Sequence, residues 1–486
     1  MWYTQYQRGS GSYPQRDNPL RQFSPCHGAC AHVSDARHEM EELAQSFGLD
    51  FYPVEFEVVP PSFMTEVAVY GLPVRMPHWS FGVRYIHQLV QHEMGHSRIF
   101  EVVYPGDPGH AFLANNNSDM DNTLVCAHVL GHADFSKNNE LFRRVHSQVG
   151  ARIVDMAANH ARRIEEAIAR HGQTHVEMVL DAALSLEQHI DVNQALSRAR
   201  YSESENDAED PLSSTFVRRF DTLPGAGDGD GDEEQPSHIP IPPRPEQDLL
   251  WFIAKYAPDM EDWERDIFLA VREESFYFYP VFASQIMNEG WASYWHARLL
   301  REASFLPHDL YVDAMKTHSD VVRPTAGDQQ IALNINPYHL GFSIWDRLIE
   351  AHGIEHARAI MRSEDDFGFV RNQLDADLAD DLNLFVYDAK RNGEVKVTAN
   401  DIHLLHEAIL GPKFNFGAPR VSVTEMGVDG ALELKHENGV DGRGLDVERA
   451  QKVIDYIHRV WRRPVSMRTL DGSGKESTLE TGKAAA

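Results

Sequence analysis

Apolar residues recur at helical spacing through most of the first 380 residues and alternate with polar residues after that. Segments 154–170, 175–189 and 263–277 carry apolar side chains at every third or fourth position, which predicts amphipathic helices. Past about residue 380, the segments FVYDA, EVKVT, RVSVTEM and ALELKHE alternate like strands and are interleaved with two further helices. The pattern therefore predicts a mainly α protein with a small C-terminal α+β domain.

Two segments interrupt this pattern and predict how the chain is divided. The first is rich in Gly, Pro, Gln and Ser, which is typical of a flexible arm, and the second is acidic and proline-rich, which is typical of a linker. The predicted parts are an arm (1–33), a helical block (34–201), the linker (202–247), a second helical block (248–376), the α+β domain (377–470) and a disordered tail (471–486).

Composition narrows the class of protein. A chain of 486 residues is long enough for two or three domains, and its net charge of −29 argues against a nucleic-acid-binding surface. No apolar run is long enough to cross a bilayer, and the N-terminus lacks the apolar region of a secretory signal. Three cysteines do not make a disulfide framework. We therefore expect a cytoplasmic protein that does not insert into membranes, and the sequence leaves its oligomeric state open.

The segment around which candidate chemistry gathers is LVCAHVLGHADFSKNNELF, residues 124–142. It places His128 and His132 four residues apart, so that on a helix both imidazoles share one face and can bind one metal ion. Spacing alone is weak, because about one or two such pairs are expected by chance in so histidine-rich a chain. The other pairs are His92/His96, His171/His175 and His352/His356.

A competing metal motif lies upstream. Residues 84–103 have helical spacing and contain His92-Glu93-Met94-Gly95-His96, which matches HExxH, the motif in which two histidines bind zinc and the glutamate is the general base. Further toward the N-terminus, Cys26 and Cys30 in CHGACAH fit either a metal knuckle or an ordinary surface loop.

The second helical block offers a third ligand. In NEGWASYWH, Glu289 and His296 are seven residues apart and share one helical face, and small residues between them allow another helix to approach closely. A carboxylate on such a helix suits a metal that two histidines hold from elsewhere. The alternative is a buried glutamate paired with Arg265 or Arg272.

Five motifs in order resemble the stage V sporulation protein R (SpoVR) family across roughly residues 40–470. They are GLDFYPVEFEVV, YGLPVRMPHWSFG, LVCAHVLGHADFSKNN, NEGWASYWH and NPYHLGFSIWDRL. The resemblance implies a bacterial, cytoplasmic protein. It also implies a link to spore cortex formation or to stationary-phase stress, alongside a PrkA-type serine protein kinase as a pathway partner.

The resemblance also bears on the choice between metal motifs. The AHVxGH and NEGWxxxWH blocks are signatures of the family, so His128, His132, Glu289 and His296 map onto them. The HEMGH segment falls where family members have a glycine followed by aliphatic residues. The resemblance therefore favours a site at His128, His132 and Glu289.

The layout is similar to that of gluzincin metallopeptidases, in which a His-x3-His helix precedes a glutamate on a second helix. Three protein ligands would leave an open position on zinc, and the same ligand types suit Fe(II). Val129, however, stands where a metallopeptidase has its general-base glutamate. Candidates for the missing base are Asp134, Glu273, Glu274 and His318.

Two roles remain open for other residues in these blocks. His296 could be a fourth ligand or an acid for the leaving group, and Asn336 and Tyr338 could polarise a carbonyl oxygen. Lys137, Asn138 and Asn139 are expected to cap the helix that carries the two histidines.

Two functional hypotheses follow from these patterns. The first is a metal-dependent hydrolase with a zincin-like helical core assembled from the two helical blocks, acting on an amide in peptide or cell-wall-related material. The second is a non-catalytic, metal-containing regulatory partner in a stress or sporulation kinase pathway.

Overall fold

The computed structural model describes residues 30–71, 75–76, 78–93, 101–194, 241–308, 311–312, 336–384, 386–389, 395–399, 401–441 and 444–481. Most of the predicted arm and of the predicted linker lies outside these residues, as do Cys26, His96 and His318. The arm was predicted to extend to residue 33, but a helix already begins at Cys30.

The described part of the chain is mainly helical, as the sequence predicted. Its helices are α1 (Cys30–Ser46), α2 (Pro61–Tyr70), α3 (Trp79–Glu93), α4 (Asp119–Asn138), α5 (Glu140–Val149), α6 (Ile153–His171), α7 (Gln173–Ser185), α8 (Leu249–Tyr256), α9 (Asp262–Ala283), α10 (Gln285–Glu302), α11 (Pro337–His352), α12 (Ile354–Ser363), α13 (Asp366–Gln373), α14 (Ala376–Asp381), α15 (Ile402–Leu410), α16 (Asn438–Asp441) and α17 (Val447–Trp461). None of them is both long and apolar enough to cross a bilayer.

The strands form three small sheets in the described residues. They are β1 (Val54–Val59), β2 (Glu101–Tyr104), β3 (Gly109–Ala114), β4 (Val386–Ala389), β5 (Val395–Ala399), β6 (Val421–Met426), β7 (Leu432–His436), β8 (Val465–Leu470) and β9 (Glu476–Glu480). The sheet orders are β1-β3-β2, β4-β5 and β6-β7-β8-β9. In the first sheet β1 runs parallel to β3, and β2 runs antiparallel to it.

The chain separates into two compact units, each built from two stretches of sequence. Unit 1 comprises Met1–Leu180 and Ala270–Gly417, and unit 2 comprises Asp181–Leu269 and Ala418–Ala486. Two of the three boundaries fall inside α7 and α9, and the third lies between Gly417 and Ala418. The six-part division drawn from composition stays a prediction.

Unit 1 is organised around α10, which packs closely on α4 and on α11. A Cβ atom at Gly131 would lie 2.6 Å from Ala292 Cα, and one at Gly290 would overlap the backbone of Gly341. Glycine at these crossings lets the helix backbones touch, which larger side chains would prevent. The surrounding core combines aliphatic side chains with the large rings of Trp291, Trp295 and Trp345.

The sheet β1-β3-β2 lies against α4 on one of its faces. Leu113 and Ala111 of β3 pack with Val125 and Val129 of α4 in a buried cluster. The opposite face, which includes Phe112, packs in a separate cluster with α2 and α6. Because side chains alternate along a strand, each strand residue belongs to one of these two faces.

Two expectations about the strands were wrong. Residues 84–103 were predicted as one helix, but α3 ends at Glu93 and Glu101–Tyr104 forms β2, whose backbone pairs with β3. β-branched Val102 and Val103 favour this extended conformation. The tail at 471–486 was predicted to be disordered, but Glu476–Glu480 forms β9 and pairs with β8. Its alternating burial, with Leu479 inside, explains why a strand forms there.

Candidate metal centre

Helix α4 sets the positions of the two central histidines. It begins with a capping box in which the Ser118 side chain accepts from Asp121 N and the Asp121 side chain accepts from Ser118 N. It ends at Asn138; the next residue, Asn139, donates its backbone N–H to Phe135 O, and its side chain caps α5 by accepting from Leu141 N. With both ends fixed, His128 and His132 project from one face at a defined register.

Helix α10 supplies the carboxylate and is also held at its start. The buried Asp366 accepts hydrogen bonds from Ile286 N and Met287 N, at 3.0 and 2.9 Å, and Lys413 Nζ lies 3.0 Å from the same carboxylate. These contacts satisfy backbone donors at the first turn of α10. They fix the turn that leads directly into Glu289.

The structure brings His128, His132 and Glu289 together. Glu289 Oε2 lies 3.5 Å from His128 Nε2 and 3.4 Å from His132 Nε2. One ligand atom from each of the three residues lies within 4.8 Å of the other two. The alternative partners Arg265 and Arg272 are engaged elsewhere: Arg265 donates to Ala254 O, and the Arg272 guanidinium stacks over Phe276.

Each histidine is oriented by a second contact on its other ring nitrogen. His132 Nδ1 lies 2.9 Å from Asn288 Oδ1, so it donates its hydrogen and leaves the Nε2 lone pair free to bind a cation. His128 Nδ1 lies 2.9 Å from His296 Nδ1. If His128 binds a cation through Nε2, its Nδ1 donates to His296. In that arrangement His296, together with the backbone of Ala292, would orient His128.

The charges in the cluster favour a carboxylate between imidazoles. Burial lowers the pKa of His128, and the neighbouring His132 lowers it further. Burial also acts to lower the pKa of His132, but the Glu289 carboxylate outweighs it and the pKa of His132 is raised. Burial acts to raise the pKa of Glu289, but the two histidines outweigh it and the pKa falls below its usual range. A metal ion would compete with the proton on His132, so its binding would strengthen as pH rises.

Tyr338 lies at the edge of this cluster. Its ring stacks on His128, with centroids 6.1 Å apart and the planes at 26°. The negative charge of Glu289, and then burial, raise the pKa of Tyr338 well above its usual value, so the hydroxyl keeps its proton. Asn336, in contrast, caps α11 by accepting from Tyr338 N.

Glu101 on β2 is a site residue that the sequence analysis missed. Burial raises its pKa to about 7; His132 lowers that pKa and Glu289 raises it. The Glu101 charge also contributes to the raised pKa of Tyr338. The signal for it was present in Glu101-Val-Val-Tyr104, whose β-branched pair before a Pro-Gly turn is typical of a strand.

Asp134 does not join the cluster. It is two residues past His132, which places it about 200° around the helix. Its buried carboxylate accepts from Trp291 Nε1 and from Asp50 N, both at 2.8 Å. Burial raises the pKa of Asp134 to about 6 despite these donors. These contacts are those of a structural carboxylate that links α4 to α10, rather than of a catalytic base.

Glu273 and Glu274 belong to a different network around His160 on α6. His160 Nε2 lies 3.0 Å from Glu273 and His160 Nδ1 lies 3.2 Å from Glu274, whose other oxygen accepts from Arg75 Nε at 2.8 Å. Both ring nitrogens therefore donate. Burial acts to lower the pKa of His160, but the two carboxylates outweigh it and raise the pKa to about 9.

This network predicts a pH-dependent stability. Because the folded pKa of His160 is above its unfolded value, its contribution is complete below about pH 6.5 and is lost as pH rises through about 9. A difference of this size corresponds to about 3 kcal/mol in the free energy of unfolding. Urea titrations across this range should show the loss in wild type and in the control His171→Ala, and a flatter profile in His160→Gln. An identical slope in all three proteins would contradict this role.

The remaining predicted residues are not placed by the structure. His318 lies outside the described residues. His92 and Glu93 are at the end of α3, but their side chains and the whole of His96 lie outside the described part of the chain. The HExxH alternative stays a prediction.

Comparison with known proteins decides the family. A family model described as "SpoVR like protein" matches residues 28–407, which include every residue of the metal cluster. The chain belongs to the SpoVR family. A SpoVR relative, "Uncharacterized protein YcgB" of Escherichia coli (strain K12), is 27% identical over 479 residues, covering 91% of this chain and 92% of the relative. No solved structure matches.

Proposed function

We propose that this SpoVR-family protein is a metal-dependent hydrolase that cleaves an amide bond, with His128, His132 and Glu289 as the metal ligands. The observation that carries the proposal is the convergence of one ligand atom from each of these residues within 4.8 Å. Two histidines and a carboxylate form the ligand set of known catalytic zinc sites, which keep a fourth position open. Zinc is the metal we propose, and Fe(II) suits the same ligands.

The donor set fits a cation for a second reason. Glu289 Oε2 is buried, and its contacts to the His128 and His132 nitrogens, at 3.5 and 3.4 Å, are longer than ordinary hydrogen bonds. A buried carboxylate oxygen is costly unless it is well paired, and a bound cation would pair it more closely than these contacts do. The Glu289 side chain as a whole is 20% exposed.

A divalent ion held there would polarise a substrate carbonyl and make a water molecule more acidic. The protein's own groups would do the rest. Asn288 and His296 keep the two ligand histidines in the required orientation. The hydroxyl of Tyr338, which keeps its proton beside Glu289, is the donor that we propose for a developing negative charge on the carbonyl oxygen.

The arrangement favours a zincin-like interpretation of the helical core, in which a His-x3-His helix and a glutamate on a second helix share one metal. The substrate that we propose is an amide in a peptide or in cell-wall-related material. The choice of cell-wall-related material comes from the family's link with sporulation and not from the geometry of the site.

A second function is favoured by one observation. Val129 occupies the position of the expected general base and is fully buried. A site without a base fits a non-catalytic regulatory protein that holds a metal for structure and acts in a serine-kinase pathway.

A substrate panel separates the two functions. Zinc-loaded protein should cleave members of a panel of internally quenched peptides and muropeptides, lose this turnover when a chelator removes the metal, and regain it when Zn²⁺ is restored. His128→Ala is the matched control and should show no turnover under any of these conditions. Metal-loaded wild type that is inactive across the whole panel would contradict the hydrolase and favour the regulatory protein.

A further inference from the structure

Helix α4 cannot supply the base that hydrolysis needs. Val129 and Val125 point from α4 into the buried cluster with Leu113 of β3. The helix face that would carry a HExxH glutamate is therefore filled by apolar packing against the sheet. A base would have to come from another element that reaches the same space.

Strand β2 places the Glu101 carboxylate on the face of the sheet that packs against α4. Glu101 is directly opposite Leu113 in the antiparallel register, and directly opposed residues share one face of a sheet. Val103, two residues further along β2, packs in the same α4-facing cluster, whereas Tyr104 packs in the cluster on the other face. Glu101 therefore faces α4.

This position is next to the metal cluster. His132 and Ala133 line a small cavity together with Val103 and Tyr104 of β2, so β2 and this part of α4 share a space. Glu101 interacts electrostatically with His132 and Glu289. It is nevertheless not one of the residues whose ligand atoms lie within 4.8 Å of one another. Glu101 is close to the cluster without belonging to its ligand set.

We propose that Glu101 is the general base of the SpoVR hydrolase, supplied from β2 in place of the glutamate that is absent at position 129. This inference rests on the proposed function. The Glu101 carboxylate takes a proton from the attacking water as the water oxygen bonds to the amide carbon. As the C–N bond breaks, Glu101 returns that proton to the leaving nitrogen, so that a carboxylic acid and an amine are released.

The described carboxylates that the sequence offered as bases are already held by other groups. Asp134 is held by Trp291 and Asp50, Glu273 by His160, and Glu274 by Arg75 and His160. Glu101 is half-buried on the face of the sheet that packs against α4. The Glu101 carboxylate of β2, which packs against α4, thus replaces the glutamate that α4 lacks at position 129.

The test compares Glu101→Gln with wild type and with Glu57→Gln. Glu57 is a matched control, because it is also a half-buried glutamate of the same sheet but is directly opposite Phe112, on the face away from α4. Three quantities are measured on zinc-loaded proteins: the metal-to-protein ratio, the turnover of the cleaved peptide, and the affinity for acetohydroxamic acid, whose binding to zinc releases a proton to a nearby base.

Glu101→Gln should keep its zinc and its KM, lose about 100-fold or more in kcat, and bind acetohydroxamic acid more weakly. Glu57→Gln should match wild type in all three measurements. If Glu101→Gln kept the kcat and the hydroxamate affinity of wild type, the proposed role of Glu101 would be wrong, whereas the proposed hydrolase activity would stand. Loss of zinc in Glu101→Gln would overturn it by making Glu101 a ligand. An inactive wild type would contradict both the proposed hydrolase activity and the proposed role of Glu101.

Discussion

Replacing Gly290 with alanine should lower the free energy of unfolding by about 3 kcal/mol, at the upper end of the usual range for overpacked cores. The added Cβ would overlap the backbone of Gly341, so α10 and α11 could not keep their present distance. Separating them would loosen the packing of Trp345 and Ile286. The higher helix propensity of alanine offsets only about 1 kcal/mol of this cost.

The control for this prediction is Gly411→Ala in the same unit. Gly411 has a right-handed helical backbone, and a Cβ atom there would have no neighbour within 4 Å among the described residues. This variant should be neutral or slightly stabilised, because alanine reduces the freedom of the unfolded chain. Chemical denaturation of both variants gives the comparison, and equal stability of Gly290→Ala and wild type would contradict the close helix crossing.

Glu289→Gln should weaken zinc binding by more than the roughly 10- to 100-fold that is typical when an outer contact of a metal ligand is lost. The substitution keeps the size of the side chain but removes the charge that faces both imidazoles. Asn288→Ala should fall within that 10- to 100-fold range, because it removes only the acceptor that orients His132.

Competition with a zinc-sensitive dye measures these affinities. Ser293→Ala is a suitable control, since it lies on the same helix and its buried hydroxyl has no hydrogen-bond partner in the described part of the structure. Its zinc affinity should equal that of wild type. If Glu289→Gln also bound zinc like wild type, Glu289 would not be a ligand.

The helices could be predicted from the sequence because their apolar spacing is regular. The helix Val447–Trp461 and the strands Val421–Met426 and Leu432–His436 follow the pattern closely. The prediction failed where a helical pattern is followed directly by a strand pattern. The predicted helix extended to Val103, so β2 and its partner β3 were not predicted. Strand pairing joins residues distant in sequence, and single-strand patterns do not show it.

The candidate site could likewise be predicted only in part from the sequence. His128, His132 and Glu289 could be chosen from spacing and motif, and the fold brings them together through the glycine crossings of α10. The roles of Asp134 and Glu274 could not be judged from the sequence, because Trp291 and His160 reach them only in the folded chain. Missing β2 also meant missing Glu101.

Metal content of the purified protein, measured by elemental mass spectrometry, shows directly whether His128, His132 and Glu289 bind a metal ion. Wild type, His128→Ala and His92→Ala would be compared after reconstitution with zinc. Wild type and His92→Ala should hold near-stoichiometric metal, and His128→Ala should lose it. A wild type that holds no metal would contradict a metal site at His128, His132 and Glu289, and so would loss in His92→Ala alone, which would move the site to the HExxH segment.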